Sequence, residues 1–228
     1  IPVIIKNNDL YAQKAIQDKV KYCRIVRKLI RGKYKYYVQM VMTGIPPIKI
    51  NSGTGEVKNG IGIGDVGIDI GTRTIAFSSK HEVKLLELCP EVENIEHKKS
   101  ILQRKLDRQR RANNPYNYNL DGTIKRGIKL NWVKSNKYIK TQNELRELQR
   151  KQADIRKQSH EKLANYIISL GDRILVETMQ FQGLQKRTKK TTKNQQGKFN
   201  KKKRFGKSLA NKAPAMLIEI INRKLKYE

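Results

Sequence analysis

The chain has 228 residues, with 50 Lys and Arg against 20 Asp and Glu, a formal net charge of +30 and a pI near 10.2. That length holds one large domain or two small ones, and that charge calls for a polyanionic partner whose phosphates release counterions on binding. No apolar run approaches the ~20 residues of a spanning helix and no secretory leader pattern is visible, so a membrane is not expected among its partners.

In chain order, residues 19–42 read as a β-hairpin. Residues 22–30 and 34–42 are rich in β-branched and aromatic side chains, and Arg31-Gly32-Lys33 supplies the turn. Lys21, Arg24, Arg27, Lys33 and Lys35 interleave with Tyr22, Tyr36 and Tyr37. That mixture suits contacts with a nucleic-acid strand, and equally a solvated sheet face. Pro46-Pro47 and the Gly-rich residues 51–64 form a linker between residues 1–50 and 65–228. Strands are expected at 65–70, 73–79 and 83–88.

Two long helical stretches follow, at about 91–111 and 137–170. Ile95, Leu102 and Leu106 lie on one side of the first. Tyr138, Leu145, Leu148, Ile155, Leu163, Tyr166, Ile167 and Leu170 fall near a helical period in the second. Neither buries its stripe alone, so the two are expected to pair as an antiparallel hairpin. Arg104, Lys105, Arg108, Arg110 and Arg111 form a basic face able to grip phosphates, although such faces are often only solvated. Trp132, the single tryptophan, lies in the polar segment between the helices. Gly171 suits a helix end, and a strand at 173–177 closes on Glu177. Residues 185–208 hold eleven Lys and Arg and no acid, among them Lys186, Arg187, Lys189, Lys190, Lys201, Lys202, Lys203 and Arg204. Such blocks are usually disordered alone and gain order on nucleic acid. A final helix at 214–227 starts with Pro214 in its first turn and has Leu217, Ile220, Ile221 and Leu225 as its core face.

Two carboxylates stand out. Asp is depleted in strands, yet Asp69 lies between Ile68 and Ile70, two residues before Gly71. Burying it is costly unless something cationic neutralises it. Glu177 ends another apolar strand. If the two strands are neighbours, the carboxylates converge on a site for Mg²⁺, which keeps several waters and accepts phosphate oxygens. Two such ions support phosphodiester hydrolysis. Asp65 reads as a turn residue where the linker meets the strand. His81, His97 and His160 lie in polar surroundings and are expected at the surface. Cys23 and Cys89 match no metal spacing and are expected as packing residues in a reducing compartment.

Gly67-Ile68-Asp69-Ile70-Gly71 with Thr74-Ile75-Ala76 resembles the first RuvC motif of the TnpB family, the OrfB-type proteins of bacterial insertion sequences related to type V CRISPR effectors. Ile174-Leu175-Val176-Glu177-Thr178-Met179 with Phe181-Gln182-Gly183-Leu184 is similar to the second. Residues 21–27, 104–115 and 207–214 are also similar to the family. The resemblance implies an α/β, RNase H-like (RuvC) core with a long helical-hairpin insertion at about 91–171, preceded by a partial wedge-type β domain at 1–50. It implies a prokaryotic, cytoplasmic, RNA-guided DNA endonuclease with a guide RNA and target DNA as partners and Mg²⁺ as cofactor. Asp69 matches the first catalytic aspartate and Glu177 the catalytic glutamate, both as metal ligands. The family's third RuvC motif and its zinc-binding Cys-x-x-Cys pairs are not in these residues. The chain is therefore expected to be a fragment, cut at both ends, that cleaves poorly or not at all. Two other readings compete. Asp69-x-Gly71-Thr72 also resembles the first phosphate loop of actin-like ATPases, and a non-catalytic, transposon-derived RNA-binding protein needs only the basic surfaces.

Overall fold

The computed structural model describes residues 4–186, 192–197 and 205–227. A short helix, α1 (Leu10–Ala15), comes first, capped by Asp9, whose carboxylate accepts from the Ala12 N–H at 3.0 Å. Six residues give no readable helical period, so the sequence pattern does not announce it. Strands β1 (Val20–Ile30) and β2 (Lys33–Met42) form the expected hairpin. Arg31 (φ 51°) and Gly32 (φ 75°) both adopt positive φ. A two-residue turn of that kind matches the twist of the flanking strands. Several basic and aromatic side chains of the hairpin stack on one another: Arg27 lies 4.6 Å from the centre of the Tyr34 ring and Lys28 5.5 Å from that of Tyr37.

A second sheet holds β3 (Asp65–Ile70), β4 (Thr74–Ser79), β5 (Val83–Glu87) and β6 (Arg173–Val176) in the order β5-β4-β3-β6. β3, β4 and β5 are an antiparallel meander, whereas β6 runs parallel to β3. The helices are α2 (Glu93–Asn113), α3 (Asn136–Ile168), α4 (Phe181–Gln185), α5 (Gly206–Lys212) and α6 (Pro214–Tyr227). The protein is thus a mixed α/β chain. Among the described residues no helix is long and apolar enough to cross a membrane.

The chain divides into two compact units: Ile1–Leu29, Tyr34–Cys89 and Lys157–Glu228 in the first, Ile30–Lys33 and Pro90–Arg156 in the second. In the first unit one face of the four-stranded sheet is buried. Val66, Ile68 and Ile70 of β3 and Ile75 and Phe77 of β4 pack with Ala164 and Ile167 of α3 and Leu217, Ile220 and Ile221 of α6. Strict alternation in β3 produces this, because successive strand residues face opposite sides. Close backbone packing sets the entry to β3: Gly62 donates its N–H to the Ile168 carbonyl at 2.9 Å, and the Asp172 carboxylate accepts from the Gly64 N–H at 2.9 Å. A Cβ on Gly171 would stand 2.4 Å from the Gly64 carbonyl oxygen.

In the second unit, α2 and the first part of α3 run antiparallel. Asn113 donates to Ser135 Oγ at 2.8 Å at one end, and Lys99 Nζ donates to Gln152 Oε1 at 3.1 Å further along. Ile95, Leu102 and Leu106 are half-buried, as a thin apolar stripe allows. Asn114 is buried and pins the connecting segment: its amide donates to the Arg110 and Val133 carbonyls at 2.9 and 3.0 Å and accepts from the Val133 N–H at 2.7 Å.

Candidate functional site

Asp69 and Glu177 are brought together by strand register. The parallel ladder pairs Asp65 with Arg173, Val66 with Ile174, Gly67 with Leu175 and Ile68 with Val176. It extends one residue past β6, where the Glu177 N–H donates to the Ile68 carbonyl at 3.1 Å. Asp69 and Glu177 are therefore opposite one another on neighbouring strands, whose backbones lie ~4.8 Å apart. Alternation puts both on the face away from the core, and both are exposed. Asp65 lies on the same face two rungs away, but there the Arg173 guanidinium grips it, Nε to Oδ1 at 2.9 Å and Nη2 to Oδ2 at 3.1 Å. Asp65 is a strand residue held by a bidentate ion pair. The carboxylates of Asp69 and Glu177 have no such partner among the described residues. Between Asp65 and Asp69, Gly67 leaves open space: a Cβ there meets nothing within 4 Å.

This donor set fits Mg²⁺. Among the described residues no group of three or more His, Cys, Asp or Glu is placed to hold a metal. A closed all-protein cage is therefore not what two adjacent carboxylates offer. They offer the open, water-rich coordination that Mg²⁺ adopts when one or two carboxylates share it with substrate phosphates.

The turn after β3 is closed on itself, with the Gly71 N–H donating to the Thr74 carbonyl at 2.9 Å. That amide is spent within the turn. Helix α5 docks here, because Ser208 Oγ donates to the Thr72 carbonyl at 2.8 Å. Helix α4 follows Glu177 by a few residues and packs against α5. Both ends of the lysine-rich segment are thus anchored beside the ends of β3 and β6 that carry the two acids. Lys186 caps α4 and is exposed. Arg187, Lys189, Lys190, Lys201, Lys202, Lys203 and Arg204 lie outside the described residues.

The basic face of α2 separates into two groups. Arg104, Lys105 and Arg108 are exposed, and Lys105 and Arg108 make no ion pair among the described residues. Arg110 and Arg111 are engaged in the fold. Both pair with Asp107, at 3.0 Å each. Arg110 lies 5.3 Å from the centre of the Trp132 ring and Arg111 5.3 Å from that of Tyr118, and Arg111 also donates to the Gly122 carbonyl at 3.2 Å.

No family model matches the chain, and no curated protein matches it.

Two further expectations about single residues are corrected. His160 is fully buried, not at the surface: its Nε2–H donates to the Lys212 carbonyl at 2.7 Å, with Cys89 Sγ 3.6 Å from the ring. A polar helix residue becomes a core residue here because α5 brings a carbonyl to it. Lys212 is buried as well, its Nζ donating to Glu87 Oε1 at 3.0 Å and the Cys89 carbonyl at 3.2 Å. Cys89 is a packing residue as expected, but Cys23 is exposed on the hairpin. His81 and His97 are exposed.

Proposed function

We propose that Asp69 and Glu177 are metal-binding acids of an RNA-guided DNA endonuclease with a RuvC-type, RNase H-like core. One observation carries this reading: two carboxylates with no ion-pair partner among the described residues stand in adjacent register on parallel strands, on the sheet face away from the core. An antiparallel meander with a fourth strand parallel to its first supports such a core, and the motifs around both acids resemble the TnpB family. The anchoring of the lysine-rich segment beside these acids supports a polyanionic substrate at this edge.

Within the proposal, the two carboxylates hold the cation, and Gly67 keeps the face clear for a nucleic-acid backbone. Bound Mg²⁺ supplies positive charge and an activated water for phosphodiester hydrolysis. Arg104, Lys105 and Arg108, with Lys186 and the basic residues after it, neutralise phosphates of a guide RNA or of its hybrid with DNA. Sequence specificity then comes from base pairing, and the protein reads shape.

The test is RNA-directed cutting. A protein carrying this chain, expressed with RNA transcribed from its own locus, is expected to cut DNA matching that RNA in Mg²⁺. Asp69→Ala should abolish cutting and leave RNA retention intact. Cutting that survives Asp69→Ala overturns the assignment, and loss of cutting and RNA retention together denies it a specifically catalytic role.

A further inference from the structure

The first compact unit contains a concave site of about 540 Å³, apart from the two acids. One wall is formed by Tyr11, Pro46, Pro47 and Ile48, flat or apolar surfaces of the kind on which a planar ring stacks. The rest of the lining is polar, Asn59 and Asn165 among it, and mostly charged. Lys49 and Lys58 come from a small antiparallel loop in which Ile50 bridges Val57 and the Lys58 N–H donates to the Lys49 carbonyl at 2.7 Å. The two lysines are therefore directly opposite each other, an arrangement of like charges that destabilises a strand pair. Among the described residues neither has a carboxylate partner, and Lys49 instead lies 5.4 Å from the centre of the Tyr11 ring. Arg223 and Lys224 also line the pocket. The one carboxylate in the lining, Glu161, is already committed to both, at 2.6 and 3.1 Å.

Four cations and one acid around a tyrosine ring and two prolines ask for an anion that carries a flat ring. We infer that this pocket binds a nucleotide, with the base on Tyr11 and the prolines and the phosphate between Lys49 and Lys58. The ligand is a free mononucleotide or one splayed residue of a single strand, since both present the same ring and phosphate. The inference does not rest on the metal-site reading.

Calorimetric titration of the 228-residue chain in chelator tests it, with adenosine monophosphate, adenosine, inorganic phosphate and a short single-stranded oligoadenylate as probes. Adenosine monophosphate or the strand should bind more tightly than adenosine or phosphate. Binding should weaken about tenfold in Tyr11→Ala, as expected for a lost base stack, and about tenfold in the double variant Lys49→Gln/Lys58→Gln, which removes charge-assisted contacts. A control double variant, Lys80→Gln/Lys129→Gln, lowers the net charge equally and should leave binding unchanged. Preference for the mononucleotide identifies the free form as the ligand, and preference for the strand identifies the polymer. No binding of either, phosphate binding as tightly as the nucleotide, or equal losses in the control variant would each overturn the inference.

Discussion

Gly171→Ala tests how tightly backbone packing sets the register of the two acids. Gly171 is not in the left-handed region, so the substitution meets no conformational penalty, and its effect is steric. The added Cβ would stand 2.4 Å from the Gly64 carbonyl oxygen, 2.8 Å from the Gly64 carbonyl carbon and 3.0 Å from Val66 Cγ2. The first two are backbone atoms and cannot rotate away, so the start of β3 must shift from the start of β6. Overpacking of this kind costs about 1–3 kcal/mol. At ~2–4 °C per kcal/mol for a chain of this size, Tm should fall by several degrees. Gly67→Ala makes the contrast. Its Cβ meets nothing within 4 Å, and the loss of unfolded-chain freedom should stabilise by about 0.4–1 kcal/mol. Thermal unfolding followed by circular dichroism reads both. If Gly171→Ala melts with the parent chain, or Gly67→Ala falls further than Gly171→Ala, the packing argument is wrong.

Two further predictions concern the second compact unit. Asn114→Ala leaves the Val133 N–H and the Arg110 and Val133 carbonyls without the partners described, at a cost of about 1–3 kcal/mol; hydrogen exchange should accelerate in residues 115–133 before α2 or α3, and uniform exchange across the unit would contradict this. The Glu147 carboxyl is held down at about 2, first by its hydrogen bonds from Arg150, against a smaller opposing effect of desolvation, with the Arg31 N–H adding to the lowering. Its contribution to stability is therefore complete above the ordinary value of 4.5 and lost as pH falls toward about 2. Glu147→Gln should flatten the denaturation midpoint across that window, and an unchanged acid limb would count against the assignment.

Much of the first unit was legible because its signals are local. The alternation in β3 and the helical period from Pro214 place both elements with the bounds found. The convergence of Asp69 and Glu177 was only conditional on their strands being neighbours, since nothing local states that β6 pairs with β3. What stayed hidden depends on distant partners. His160 looks like a surface residue on a polar helix until the Lys212 carbonyl is set against it. Arg110 and Arg111 read as free phosphate ligands because a sequence does not reveal Trp132 and Tyr118 under their guanidinium groups. Helix α1 is too short to show a period, and nothing local in the sequence tells which face of the hairpin leaves Cys23 exposed.

The pairing of β3 with β6 joins residues 108 positions apart, as in Asp65 and Arg173. During synthesis at ~5–20 residues per second, the meander leaves the ribosome some 5–20 s before its parallel neighbour exists. Throughout that interval β3 is a bare edge, offering unpaired amides and carbonyls to any other nascent strand. The acid at its far end has no opposite number until the intervening helices have been made. Whatever chemistry the pair performs is thus withheld until translation of this region is nearly done.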